Sequence, residues 1–212
     1  MSELTMFGAP GSGSAAVEMA LRQAGIAYRS VRAASWEPGP GYEALKAVNP
    51  LGQIPTLVLS DGMVLTESAA ILTHLGLSAP GLLPDEPSAR ARAIRGLVYI
   101  AANCYSAVSI SDFPERWTTQ SGDPAAVEAV RQAARVQLHQ AWLRFADQFF
   151  DPAQPYLCGA RPGALDFLAL VVSKWSGTRA ALKRQRPSFH AWLEALQRHP
   201  AVAGVHAEHW PD

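Results

Sequence analysis

The run from Asn49 to Thr73 constrains this chain more than any other stretch: Asn-Pro-Leu-Gly-Gln-Ile-Pro-Thr-Leu-Val-Leu-Ser-Asp-Gly-Met-Val-Leu-Thr-Glu-Ser-Ala-Ala-Ile-Leu-Thr. It reads as loop, proline, strand, tight turn, strand and helix mouth. Residues 56–59 and 63–65 are short β-rich runs, and Ser60, Asp61 and Gly62 between them carry hairpin-turn chemistry. Glu67 and Ser68 stand where a helical apolar pattern begins, at Ile71, Leu72 and Leu75. Pro55 removes a ladder donor at the strand entrance, so the edge near Ile54 is expected to be open. An open edge beside a helix N-terminus suits a short peptide with free ends. The edge pairs with the peptide main chain, the helix mouth takes its carboxylate, and Glu67 takes its ammonium group. The plainer alternative is a proline-led hairpin packed under a helix.

The whole string, in order from Asn49 to Ser68, resembles the glutathione site of cytosolic glutathione S-transferases of the bacterial type. The resemblance implies that Pro55 is a cis-proline and that Ile54 lends its backbone N–H and C=O to the cysteinyl unit. It implies that Glu67 and Ser68 hold the γ-glutamyl end, with Gln53 a further contact. Glutathione would be a co-substrate, and the partner a small hydrophobic electrophile. The same resemblance implies a two-fold homodimer.

Composition narrows the alternatives. The 212 residues are 49% hydrophobic and 17% charged, enough apolar content for a sizeable core. Formal net charge is zero and no Lys/Arg block occurs, so neither nucleic acid nor an anionic membrane surface is expected as a partner. The start, Met-Ser-Glu-Leu-Thr, lacks the cationic region of a secretory leader. No apolar run is read as approaching a membrane span. Cys104 and Cys158 make no paired or zinc-binding spacing, and the six histidines stand apart, so no metal is expected. The cytoplasm suits this set of features.

The order of elements is read as β-α-β-α-β-β-α over residues 1–78, a mixed sheet with helices on its faces. A strand at 4–7 leads to a helix at 12–24 stopped by Gly25, a strand at 28–32, a helix at 42–48, the hairpin, and a helix at 68–77. Residues 79–88 form a linker, in a stretch with three prolines and a glycine in ten residues. Residues 89–212 read as all-α, with helices at 88–112, 123–150, 164–182 and 187–199. By resemblance this is a thioredoxin-like α/β domain followed by an all-α helical domain, and the likeness covers nearly the whole chain. Leu157-Cys-Gly159 through Ala164-Leu-Asp166 resembles a family glycine-to-aspartate motif that opens a buried helix, with Gly163 where Ser or Thr is usual and Asp166 in a structural role.

A transferase must lower the thiol pKa of glutathione, and a shift of about two units corresponds to about 2.7 kcal/mol. A helix N-terminus supplies up to about 2 kcal/mol and a charge-assisted hydrogen bond about 1.5–3 kcal/mol. The family draws its donor from Tyr, Ser or Cys near the first strand–helix junction. Here Phe7 lies where the tyrosine would be, Gly11 falls in the serine column and Gly13 in the cysteine column. Ser12 and Ser14 remain as candidate catalytic hydroxyls, Ser12 first, with helix capping the competing role for Ser14. The amides of Gly13 and Ser14 are a third possibility. Tyr105, Phe113 and Trp117 are candidates for the second-substrate pocket, though aromatics at such spacing also build cores. Three activities therefore stay open: a detoxifying transferase, a glutathione-dependent disulfide or peroxide reductase, and a non-catalytic glutathione-binding or interaction module.

Overall fold

Parallel strands need a crossover, and the first helix supplies it. In the computed structural model, which describes residues 3–211, β1 (Leu4–Gly8) leads into α1 (Ser14–Gln23) and back to β2 (Tyr28–Arg32), with Leu4 opposite Tyr28 and Gly8 opposite Arg32. Met1 and Ser2, in the start read as lacking the cationic region of a leader, and Asp212 lie outside the described residues. Gly25, at φ 65°, ends α1: its amide reaches the Arg22 carbonyl and the Ile26 amide reaches Leu21. Glycine adopts that left-handed conformation without a Cβ penalty. After α2 (Pro40–Val48) come β3 (Thr56–Val58), β4 (Val64–Leu65) and α3 (Ser68–Ser78). The sheet order is β2-β1-β3-β4, with β3 antiparallel to both β1 and β4.

Strand alternation divides the two faces. Met6 and Leu57 are cross-strand partners, and both are fully buried in the main core with the α1 and α3 side chains. Phe7 points the other way, into a smaller cluster with Ala33 and Leu45 of α2. This is a thioredoxin-like unit.

The helical part begins with α4 (Pro87–Tyr99), capped by the Glu86 carboxylate, which accepts from the Ser88 and Ala89 amides. The sequence pattern suggests a single α-helix over 88–112. The structure instead inserts a π-helical segment, Ile100–Tyr105, before α5 (Ser106–Asp112). The continuous helix Pro87–Asp112 is also long and apolar enough to meet a membrane-span criterion, contrary to the sequence expectation. It packs against the helices that follow, and Ala93, Leu97, Ile100 and Cys104 are buried in the core. A 3₁₀ turn, Pro114–Trp117, precedes the long α6 (Pro124–Phe149), which Asp123 caps through the Ala125 amide.

Every residue of α7 (Ala164–Val172) is buried. The Asp166 carboxylate gathers the amides of Leu157 (2.7 Å), Cys158 (3.1 Å) and Gly163 (2.9 Å), closing the N-terminus of that helix. The structural role expected of Asp166 is what these bonds show. The expected helix over 164–182 is broken: α8 (Thr178–Gln185) starts afresh after Ser176 (φ 52°) and Gly177 (φ 78°). Two consecutive left-handed residues cannot continue a right-handed helix.

After α9 (Pro187–Gln197), the residues beyond the last helix expected from the sequence form a further one, α10 (Pro200–His209). It docks on α1, where His209 Nε2 lies 2.9 Å from the buried Glu18 carboxylate and Arg22 pairs with Glu208. Long-range partners of this kind leave no local sequence signal.

Candidate functional site

Asn49 organises the approach to the sheet edge. Its side-chain amide donates to the Gln53 carbonyl (3.1 Å) and to Thr56 Oγ1 (2.9 Å), while its Oδ1 accepts from the Leu51 amide. Thr56 Oγ1 also donates to the Gln53 carbonyl at 2.8 Å. The loop is thereby held from within, with Gly52 at φ 61° packed under the Tyr42 hydroxyl. The Ile54–Pro55 bond is cis. Neither the amide nor the carbonyl of Ile54 makes a backbone hydrogen bond among the described residues. The Gln53 side chain stands exposed beside them.

Glu67 is the N-cap of α3, and its backbone sits at φ 64° and ψ 113°, where a non-glycine residue is strained. Its carbonyl accepts the first helical bond from the Ile71 amide. Its side chain makes no capping bond and is exposed. Ser68, next in the helix, is buried and, like the Tyr105 hydroxyl, lies beside the Cβ position of Gly13. An open main-chain edge, a carboxylate with no capping bond and a helix N-terminus are therefore present together within residues 53–68.

The β1–α1 loop behaves differently. Ser12 Oγ donates to the Ala9 carbonyl at 2.7 Å, and Ser14 Oγ lies 2.9 Å from Ser12 Oγ and 3.3 Å from the same carbonyl. The Ser14 amide donates back to Ser12 Oγ. Ser14 is fully buried, packed where a Cβ on Gly8 would fall. Gly13, rather than Ser14, is the N-cap of α1, and it makes no side-chain cap bond.

Of the three aromatic candidates, only Tyr105 reaches this region. Its hydroxyl oxygen is 2.0 Å from where a Cβ on Gly13 would lie. Its ring meets Trp175 edge-on at 5.4 Å. Burial pushes its phenol up to about 12. Phe113 and Trp117 are exposed beyond the end of α5, and the Arg116 guanidinium lies 4.2 Å from the Phe113 ring centre. Two residues that sequence reasoning missed also close on the loop. Trp175 comes from the break between α7 and α8, and Trp210 lies with its Nε1 3.7 Å from a Cβ position on Gly11. Only the Ser-Gly pair at 176–177 hinted at the first, and nothing local hinted at the second.

Residues 14–77 match the family description "Glutathione S-transferase, N-terminal domain". The chain is 30% identical over 204 residues to the GST-like protein YncG of Escherichia coli K12, covering 95% of this chain and 96% of that one. The chain belongs to the glutathione S-transferase family. It is also 29% identical over 180 residues, 82% of each chain, to the glutathione S-transferase GstA of Escherichia coli O157:H7. Among solved structures, a glutathione transferase homologue from Sulfitobacter with bound glutathione superposes with a TM-score of 0.80 at 26% identity, covering 98% of this chain and 99% of that one. In this glutathione S-transferase family member, the edge at Ile54 and the mouth of α3 belong to the thioredoxin-like unit. Tyr105 and Trp175 come from the helical one.

Proposed function

We propose that this chain is a glutathione S-transferase that adds the glutathione thiolate to a small hydrophobic electrophile. The observation that carries the reading is Glu67: a carboxylate with no capping bond, held in a strained backbone conformation at a helix mouth, one residue from the buried Ser68. A scaffold gains nothing from that arrangement, whereas a ligand ammonium gains a charged acceptor. In this reading Ile54 pairs with the cysteinyl backbone, Pro55 shapes the edge, Gln53 flanks it, and Glu67 and Ser68 hold the γ-glutamyl end. Residues 1–78 take glutathione. The helical part, 89–212, presents the electrophile beside Tyr105. The Sulfitobacter homologue with bound glutathione supports the choice of ligand. The protein works as a cytoplasmic homodimer in detoxification on this reading.

One observation favours a second reading, a non-catalytic glutathione-binding module: both serine hydroxyls of the β1–α1 loop already have hydrogen-bond partners. Calorimetric titration with glutathione, followed by assays with an aryl halide and with a small disulfide, separates the cases. Binding with aryl halide turnover is the expected result. Binding with neither turnover leaves the module, and disulfide turnover alone identifies the reductase. Absence of binding would end the glutathione reading altogether.

A further inference from the structure

Gly13 has a backbone conformation, φ −62° and ψ −14°, that any residue adopts. Space is what demands glycine there. A Cβ would lie 2.0 Å from the Tyr105 hydroxyl oxygen and 3.3 Å from Ser68 Oγ. By the family resemblance, position 13 is also the column where cysteine-type relatives carry their cysteine. In this chain the space of that side chain is filled from the helical unit by a tyrosine hydroxyl.

The neighbouring hydroxyls are engaged elsewhere. Ser12 gives its hydrogen to the Ala9 carbonyl, and Ser14 is turned inward toward Ser12 and the same carbonyl. Tyr105 closes the π-helical segment, Ile100–Tyr105, whose wider turn changes the direction of the side chains that follow. Its ring is held by Trp175, and its hydroxyl stands beside Ser68 at the Cβ position of Gly13.

We propose that the Tyr105 hydroxyl donates the hydrogen bond that keeps the glutathione sulfur as a thiolate, standing in the space left by the missing side chain at position 13. The assignment rests on the glutathione reading above. The groups facing the hydroxyl are Ser68 and Glu67, whose negative charge further disfavours a phenolate. With burial pushing the phenol up to about 12, Tyr105 remains a donor at neutral pH. In the reaction with an aryl halide the thiol proton passes to solvent, and Tyr105 keeps its own. A sulfur lone pair then forms the S–C bond, and the halide departs with the carbon–halogen pair.

The test is ultraviolet difference titration of bound glutathione in the wild type, Tyr105→Phe, Gly13→Ala and the double variant. Tyr105→Phe keeps the ring against Trp175 and removes only the hydroxyl. It is expected to raise the bound thiol pKa by about one to two units, the worth of one charge-assisted bond. Turnover at neutral pH should fall about ten- to a hundredfold and recover as pH rises, while calorimetric glutathione affinity changes far less. Gly13→Ala should displace the hydroxyl and give the same titration curve. The double variant should then titrate like Tyr105→Phe alone, because coupled residues are not additive. A wild-type thiol pKa in Tyr105→Phe, with glutathione still bound, would overturn the tyrosine assignment and leave the glutathione reading intact. So would a pKa rise in Ser12→Ala or Ser14→Ala that Tyr105→Phe lacks. A wild type that binds no glutathione would overturn both.

Discussion

Glu67→Gly should make the protein more stable and a poorer binder of glutathione. At φ 64° and ψ 113°, Glu67 lies outside the left-handed well that non-glycine residues tolerate, and such a backbone costs about 1–3 kcal/mol. Its exposed side chain makes no capping bond, so truncation removes no helix cap. The carbonyl that accepts from the Ile71 amide is kept. Glycine gives back about 0.5–1 kcal/mol through the greater entropy of the unfolded chain. The net gain is about 0–2.5 kcal/mol, or up to about 10 °C in Tm for a chain of this size. Binding moves the other way. Loss of a charged acceptor for the ligand ammonium costs about 1.5–3 kcal/mol, about ten- to a hundred-and-fiftyfold in Kd. Glu67→Gln separates the two effects, since it keeps the backbone strain and removes the charge: Tm should hold while affinity falls. Thermal melting by circular dichroism and calorimetric titration read the pair. A glycine variant that melts below wild type, or that binds glutathione as tightly, would refute the reasoning.

Asp166→Ala strands three amides that now share one buried carboxylate and should cost about 3–5 kcal/mol in urea unfolding. A loss under about 1 kcal/mol would mean that the α7 N-terminus finds other partners. Burial raises the thiol pKa of Cys104 to about 12 and that of Cys158 well above its ordinary value, so thiolate is scarce at neutral pH. Both cysteines should resist an aromatic disulfide reagent in the folded protein and react in denaturant; rapid native labelling of either would contradict this. The homodimer proposed here should appear as twice the 22.7 kDa chain mass in sedimentation at micromolar concentration, and a monomeric mass would count against it.

Legibility in the sequence tracked the distance over which each interaction acts. The hairpin at 56–65, the Gly25 stop, the Asp123-Pro124 helix start and the mouth of α3 depend on residues a few positions apart, and all were readable from turn, cap and breaker chemistry. The string from Asn49 to Ser68 belongs with them, because Asn49, Gln53 and Thr56 bond to one another across seven positions. The break at Ser176-Gly177 was local too, yet the apolar pattern on either side outweighed it.

Sequence by itself thus determined the order of elements over residues 1–78, the family and the residues at the sheet edge. Tertiary structure decided which hydroxyl stands over Gly13, which way Ser12 and Ser14 point, and that the last helix seats His209 on Glu18. Tyr105 is 92 residues from Gly13 in the numbering. What joins them is the excluded volume of a Cβ that is absent and the burial of helices against the sheet unit. Neither leaves a mark on the residues in between.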